Sequence, residues 1–241
     1  MPTFRAFTPS SRKYLDFLLR ILETDCLLPV VSNTAKKDPS SWMAELLTGY
    51  ATSADTGNEN LVITSRAALR DFCDESQERL DLVCGALVRN LRERQGMDRV
   101  LVPTLEIVSY LLNAGLLQRS GDVDARSLCL LTQKSCYKSS NVRKIEACIK
   151  VYGAIARLGG PEAGDVAVKR LEEGVQEAKK RLGALMFHPW PKVRSWVVDE
   201  LWCVVECEGE GAAAGLKGVD WGAAEKGAVR GAVRGLGIEV P

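Results

Sequence analysis

Apolar residues recur along most of the chain at the spacing of an α-helix. In one stretch they fall at i, i+3, i+4, i+7, i+8 and i+11, namely Leu80, Val83, Cys84, Leu87, Val88 and Leu91. This spacing places one face of a helix against a core. Gly96 is predicted to end this helix, and Asp98 to cap the next, which continues the pattern to Gly115. Pro103 lies too deep for a first turn, so that helix either begins late or bends there.

The same pattern predicts helices both before and after this region. Two precede it, one from Ser10 or Ser11 to about Glu23 and a short one around Trp42, with a loop at 51–58. Four follow it, at about Ala125–Cys136, Val142–Ala156, Val168–Leu185 and Pro191–Glu206. The apolar face of the second of these is predicted to contain Val142, Ile145, Ile149, Tyr152 and Ala156. No stretch alternates apolar and polar residues for long enough to predict a sheet. The pattern therefore predicts an all-α fold.

Composition changes near the end of the chain. The segment from Glu206 to Gly218 is rich in Glu, Gly and Ala and predicts a loop or linker. Beyond it, a last helix would contain Gly227, Gly231 and Gly235, each costing about 1 kcal/mol relative to Ala. Such a helix needs docking to be stable. We therefore expect four parts: a flexible N-terminus at 1–9, a helical-repeat domain at 10–205, a linker at 206–220 and a docked C-terminal helix at 221–238.

One segment indicates that the helices form repeats. FHPWPKVRSWVVDELWCVV, from Phe187 to Val205, has a Pro-containing turn followed by a Val-Arg pair that opens a helix. It resembles a HEAT repeat, in which the proline shapes the turn between helices and the arginine braces adjacent repeats. We assign this structural turn to four residues: His188, Pro189, Pro191 and Arg194. A weaker echo, KSSNVRKIEACIKVYGAI, stands 51 residues earlier when Val142 is matched to Val193. The sequence thus predicts a HEAT/armadillo-like solenoid.

Charge and cysteine content narrow the class of protein. A net charge of +1 disfavours nucleic-acid binding through a bulk positive field. The eight cysteines are scattered through apolar helical stretches, which favours reduced thiols in a cytosolic protein over a disulfide scaffold. The basic, amphipathic start allows a mitochondrial transit peptide, but Asp16 and Glu23 oppose it. No apolar run approaches a membrane span. We expect a soluble cytoplasmic protein.

The sequence holds no constellation that predicts catalysis. His188 is the only histidine, so a His-based metal triad is impossible, and there is no CxxC pair for zinc. Cys203 and Cys207 lie one helical turn apart, where packing explains them better than an incomplete metal site. The glycine-rich GEGAAAGLKG lacks the Gly-Lys-Ser/Thr ending of a phosphate loop. We predict no catalytic, cofactor-binding or metal-binding residue, and no cofactor.

Tryptophans supply the candidates for contact with a partner. Three of the five fall on or beside one predicted helix, where Trp196 is expected to pack inside. Trp190 in the turn and Trp202 on another helical face are the candidate partner-contact residues, because exposed Trp is typical of binding hot spots. Burial in a core is the alternative for both.

Three islands of sequence carry a resemblance to a known family. DRVLVPTLEIVSYLLNAG at 98–115, FHPWPKVRSWVVDELWCVV at 187–205, and a tail with Trp221 after Asp220 that ends in Leu236-Gly237-Ile238 occur in the expected order and spacing. Together they are similar to the C-terminal domain of tubulin-folding cofactor D, over about Tyr14 to Ile238. The long N-terminal repeat array of that family is absent, so the chain is expected to be a fragment or an expressed domain.

The resemblance implies a specific role and specific partners. Family members hold β-tubulin, help to join it to α-tubulin together with cofactors C and E, and engage an ADP-ribosylation-factor-like small GTPase. The complex stimulates GTP hydrolysis on tubulin, with the catalytic arginine attributed to cofactor C. The resemblance therefore implies a non-catalytic, GTPase-activating chaperone module associated with microtubules. The alternatives are a generic HEAT-repeat adaptor or regulatory scaffold subunit, and an α-helical enzyme with an undetected site.

Overall fold

All regular structure in the described part of the chain is helical. The computed structural model describes residues 59–121, 123–158, 165–208, 216 and 219–238. These residues form eight α-helices: α1 (Glu59–Glu75), α2 (Gln77–Glu93), α3 (Asp98–Asn113), α4 (Ala125–Cys136), α5 (Val142–Ala156), α6 (Asp165–Leu185), α7 (Pro191–Glu208) and α8 (Lys226–Gly235). The all-α prediction is confirmed. The helices predicted near Glu23 and Trp42, the N-terminus at 1–9 and the loop at 51–58 lie outside the described residues.

The chain forms two compact units that divide between Asp122 and Val123. In the first unit α2 packs against α1 and α3, and a 3₁₀ turn at Leu117–Arg119 follows α3. The largest fully buried side chains of this unit come from all three helices and the segment after α3: Phe72, Leu80, Leu87, Leu91, Leu101, Leu105, Leu111 and Leu116. Five of the six apolar positions predicted for α2 are buried, the exception being Val88. Periodicity therefore located the core face of α2.

Helix α3 begins earlier than Pro103 suggested. It starts at Asp98 and runs through Pro103, which is buried inside the helix. The prediction that the helix begins late is therefore wrong. The prediction that Asp98 caps it is also wrong, because Met97 is the N-cap residue and makes no side-chain hydrogen bond. Glycines follow both helices as expected: Gly96 and Gly115 adopt positive φ angles of 81° and 74°, which glycine adopts without steric cost.

In the second unit α4, α5, α6 and α7 pack against one another. α4 packs along α6, while α5 packs along both α6 and α7. Gly174 of α6 lies against the backbone of Ala125 in α4, and each is eleven residues before the last residue of its helix. Gly153 of α5 lies against Glu200, about midway along α7. One turn after Ala125, Cys129 interacts with Glu177 and Arg181, which follow Gly174, so α4 and α6 run parallel. Because α4–α5 and α6–α7 are each antiparallel hairpins, the α4–α5 turn and the α6–α7 turn lie at the same end of this unit.

Partly buried charges join the α5–α7 pair at Gly153. Arg157 of α5 donates to Glu200 of α7 at 2.6 Å, and these side chains are only 20% and 17% exposed. The absence of a side chain at Gly153 makes room for this pair, since a Cβ there would stand 2.7 Å from the carboxyl carbon of Glu200. The close packing of α5 on α7 and the Arg157–Glu200 ion pair therefore both require glycine at position 153.

The reduced-thiol prediction is wrong for one pair of cysteines. Cys136, the last residue of α4, is joined by a disulfide to Cys148 in α5. The antiparallel α4–α5 hairpin brings these residues together. Of the other described cysteines, Cys73, Cys84 and Cys129 are buried and Cys203 is exposed.

The last helix begins later than predicted. The sequence placed its start at Trp221, but α8 starts at Lys226, after a turn at 221–223. The Asp220 carboxylate accepts hydrogen bonds from the backbone N–H groups of Gly222, at 2.9 Å, and Ala223. This side chain offers the backbone an alternative to helix. α8 contributes buried Val229 and Val233 to the unit. Among the described residues, no helix combines the length and apolarity needed to cross a membrane.

Candidate protein-interaction site

The α6–α7 turn is built by local hydrogen bonds around two prolines. The backbone N–H of His188 donates to Leu185 and closes α6, and the carbonyl of Trp190 accepts from Val193 and opens α7. Pro191 is the first residue of α7, where the missing N–H of proline costs nothing. His188 Nδ1 accepts the N–H of Trp190 at 3.1 Å. These contacts fix the direction in which the Trp190 side chain leaves the turn.

Arg194 ties this turn to the C-terminal segment. Its guanidinium donates to the carbonyls of His188 at 2.7 Å and Pro189 at 3.3 Å within the turn. It also donates to the carbonyl of Trp221 at 2.8 Å and to that of Gly222. The fixed fork of an arginine suits several acceptors at once. The sequence assigned Arg194 to bracing between repeats, and in the structure the segment that it holds is 221–222.

Trp221 anchors the segment that Arg194 holds. Its side chain is 7% exposed, and its indole N–H donates to the carbonyl of Leu216 at 3.3 Å. A buried indole with a satisfied N–H contributes a large apolar area without an unpaired polar group. Farther along the chain, Ile238 and Val233 lie against Gly183 of α6, where a Cβ would meet both side chains. The tail of the domain is thus fixed at Trp221, and again by Val233 in α8 and Ile238 after it.

The two tryptophans proposed as partner contacts are in different surroundings. Trp190 is 38% exposed and stands edge-on to the His188 ring, with ring centroids 5.2 Å apart. Trp202 is half-buried, and lies about 18 Å along α7 from Trp190 at the rise of an α-helix. The structure does not bring them together. Trp196, expected inside, is half-buried under Lys192, whose Nζ is 4.9 Å from the ring centroid.

The α4–α5 turn carries exposed apolar residues that the sequence did not single out. Tyr137 is 69% exposed and Val142 is 44% exposed, although Val142 was placed on the apolar face of α5. The later positions of that face, Ile145, Ile149 and Tyr152, are buried as predicted. Val142 is exposed because it is the first residue of α5. The weak repeat that matches Val142 to Val193 also matches Tyr137 to His188. This match could have placed Tyr137 in a turn equivalent to the α6–α7 turn.

Among the described residues, two buried thiols and a charged groove were the other places where reactive or ligand-binding groups could lie. Burial raises the pKa of the Cys129 thiol to about 12, as it does for Cys73 in the first unit, so both stay neutral. An open groove along α6 is lined mainly by charged residues of mixed sign: Arg126, Lys169, Glu172, Glu173, Glu177, Lys179 and Lys180. Arg126 lies 3.7 Å from Glu173, and Glu177 pairs with Arg181. In the part of the chain that the structure describes, no group of three or more His, Cys, Asp or Glu is placed to hold a metal ion.

Comparison with known families decides the relationship of the chain. The family model described as tubulin folding cofactor D C terminal matches residues 13–144, more than half of the sequence. The chain belongs to this family. The resemblance seen at 98–115 falls within the match, while the turn at 187–194 and the tail lie beyond it. With α1–α4 and the start of α5 in the matched region, the helical-repeat fold class predicted for this cofactor D domain is confirmed. No curated protein and no solved structure matches the chain.

Acidification is expected to destabilise the turn through His188. Burial, and then the charge of Arg194, lower the pKa of His188 below its ordinary value of 6.5. Protonation would also place an N–H against the Trp190 N–H that Nδ1 now accepts. The unfolded chain therefore binds this proton more readily, and stability falls as pH drops through 6.5 toward the lower folded pKa. We expect the urea midpoint to decrease from about pH 7.5 to about pH 5.5.

A His188→Asn variant isolates this effect. The Asn side-chain oxygen can accept the same N–H but does not titrate, and His188 is the only histidine of the chain. The midpoint of the variant should vary less with pH over this range than that of the wild type. Equal pH dependence in both proteins would show that another group is responsible.

Proposed function

We propose that this chain is the non-catalytic, protein-binding module of a tubulin-folding chaperone. It binds β-tubulin and helps to assemble the α/β-tubulin heterodimer together with cofactors C and E and an ADP-ribosylation-factor-like small GTPase. In doing so it stimulates GTP hydrolysis on tubulin indirectly, as part of that complex. It acts in the cytoplasm, in association with the cytoskeleton.

The family match over residues 13–144 carries this proposal. A surface of packed helices with exposed aromatic side chains at its turns supports it, because such surfaces bind partners by shape and by a few anchoring residues. Two titratable side chains of the α6–α7 turn also have structural partners: His188 accepts a backbone N–H, and Arg194 donates to carbonyls. Protein binding explains these features more simply than catalysis does.

Binding to tubulin is the direct test, with two tryptophan variants as a matched pair. We expect the immobilised full chain to retain β-tubulin, or tubulin bound to its other cofactors. Trp190→Ala should weaken retention by about tenfold, since truncating an exposed aromatic anchor costs more than 1 kcal/mol. Trp202→Ala makes the same change at a half-buried position and should weaken retention less. Circular dichroism of both variants would establish that their helical content is unchanged.

Two outcomes would count against the proposal. Retention of neither tubulin nor the cofactor-bound complex, with normal tubulin folding by a full-length cofactor D lacking this domain, would reject it. Retention of transport receptors or phosphatase subunits in place of tubulin would support the general HEAT-repeat adaptor.

A further inference from the structure

At one end of the second unit, two turns carry basic residues and no acidic ones of their own. The α4–α5 turn and the α6–α7 turn lie at this end, and we call residues 134–143 and 188–192 the turn edge. Neither segment contains Asp or Glu. Its exposed cations are Lys134, Lys138 and Lys192, and Arg143 is half-buried. The whole chain has a net charge of only +1, so the positive charge of this edge is not a consequence of a basic overall composition.

Helix stability does not account for these cations. A positive side chain is favourable at a helix C-terminus and unfavourable at an N-terminus. Lys134, in the last turn of α4, follows this rule. Arg143 and Lys192, however, are the second residues of α5 and α7, which have no acidic residue in their first turns. The helices α2 and α3 show the usual preference, with Glu78 and Asp98 in their first turns.

Aromatic and apolar side chains lie among these cations. Tyr137 is the most exposed large hydrophobic residue in the described part of the chain, and Lys138 Nζ lies 5.3 Å from its ring centroid. Trp190 and Val142 are also exposed at this edge. Asp220 also lies at this end, beside Pro191, but its carboxylate accepts the backbone N–H groups of Gly222 and Ala223. The turn edge therefore combines positive charge with aromatic surface, a combination that fits an anionic chain with apolar groups.

We propose that the turn edge binds an acidic, extended segment of a partner protein. Carboxylates of that segment would pair with Lys134, Lys138 and Lys192, while Tyr137 and Trp190 supply apolar contact. Four cations on a nearly neutral chain are too few for tight binding to a phosphate backbone, whereas exposed aromatic residues suit a peptide. This inference rests on the proposed function only in taking the partner to be a protein.

A Glu-rich fluorescein-labelled peptide tests the turn edge without tubulin. The full chain should bind this peptide more tightly than the same peptide with Gln at every Glu, and binding should weaken as salt is added. The triple variant Lys134→Glu, Lys138→Glu, Lys192→Glu should weaken binding by about tenfold or more. Tyr137→Ser, at a highly exposed position, should weaken it by roughly threefold.

A second triple variant controls for net charge. Lys169→Glu, Arg170→Glu, Lys226→Glu makes the same change in charge at exposed cations outside the turn edge and should leave peptide binding within about twofold of the wild type. Equal losses in the two triple variants, no preference for Glu over Gln, or tighter binding of a DNA oligonucleotide or an anionic lipid vesicle would overturn the proposal.

The proposed function and the proposed peptide site can fail separately. Peptide binding without tubulin binding would reject the proposed function alone, and tubulin binding that the turn-edge variant leaves intact, without peptide binding, would reject this inference alone.

Discussion

Replacing Arg194 with alanine should lower the free energy of unfolding of the second unit by about 2–4 kcal/mol. The guanidinium donates to four carbonyls, two in the α6–α7 turn and two at Trp221 and Gly222. Alanine leaves these acceptors to water or without partners, and it removes the link that holds the C-terminal segment. The buried Trp221 side chain then loses the backbone contacts that position it.

Urea denaturation followed by tryptophan fluorescence measures this change. Four of the five tryptophans, Trp190, Trp196, Trp202 and Trp221, lie in the second unit, so the signal reports mainly on it. Arg194→Lys keeps the charge but not the planar fork, and should recover only part of the loss. Arg170→Ala, at an exposed position, should change stability by no more than about 0.5 kcal/mol. Equal stability of the Arg194→Ala and Arg170→Ala proteins would contradict the bracing role.

Gly174→Ala and Gly231→Ala should change stability in opposite directions. A Cβ at Gly174 would stand 3.0 Å from the backbone of both Ala125 and Arg126, so α4 and α6 must separate. We expect a loss of about 2–3 kcal/mol, typical of overpacking. Gly231 is exposed in α8 with nothing near its missing Cβ. There alanine should gain up to about 1 kcal/mol, because it improves helix propensity and reduces the entropy of the unfolded chain.

The two glycine substitutions can be compared directly because the chemical change is the same in both. Only the surroundings differ, so opposite shifts in the urea midpoint would isolate the close approach of α4 and α6. A stabilising Gly174→Ala would mean that these helices are farther apart than the structure places them.

The sequence predicted the features that depend only on neighbouring residues in the chain. The spacing of Leu80, Leu87 and Leu91 identified the buried face of α2, because a helix repeats its faces every 3.6 residues whatever it packs against. Gly96 and Gly115 marked helix ends because glycine tolerates positive φ in any fold. The all-α class followed from these signals.

Small residues at helix contacts escaped this kind of inference. Gly174 and Gly183 lie on the buried side of α6, but glycine gives no hydrophobic signal, so the pattern of larger residues did not reveal the close approach. The same limit applies to Val142, which matched the apolar period yet is exposed at the first residue of α5. Periodicity gives the direction of a side chain and not what lies opposite it.

The sequence by itself predicted α2 to α7, the buried face of α2 and, through its resemblance at 98–115, the family, but it did not predict α1. Tertiary structure alone decided what depends on residues far apart in the chain. It placed the Arg194 guanidinium on carbonyls at 221 and 222, joined Cys136 to Cys148, and set the two turns of the second unit at one end. The physical reason is that helix formation depends on neighbours within a few residues, whereas hydrogen bonds, close contacts and shared surfaces depend on how the helices pack.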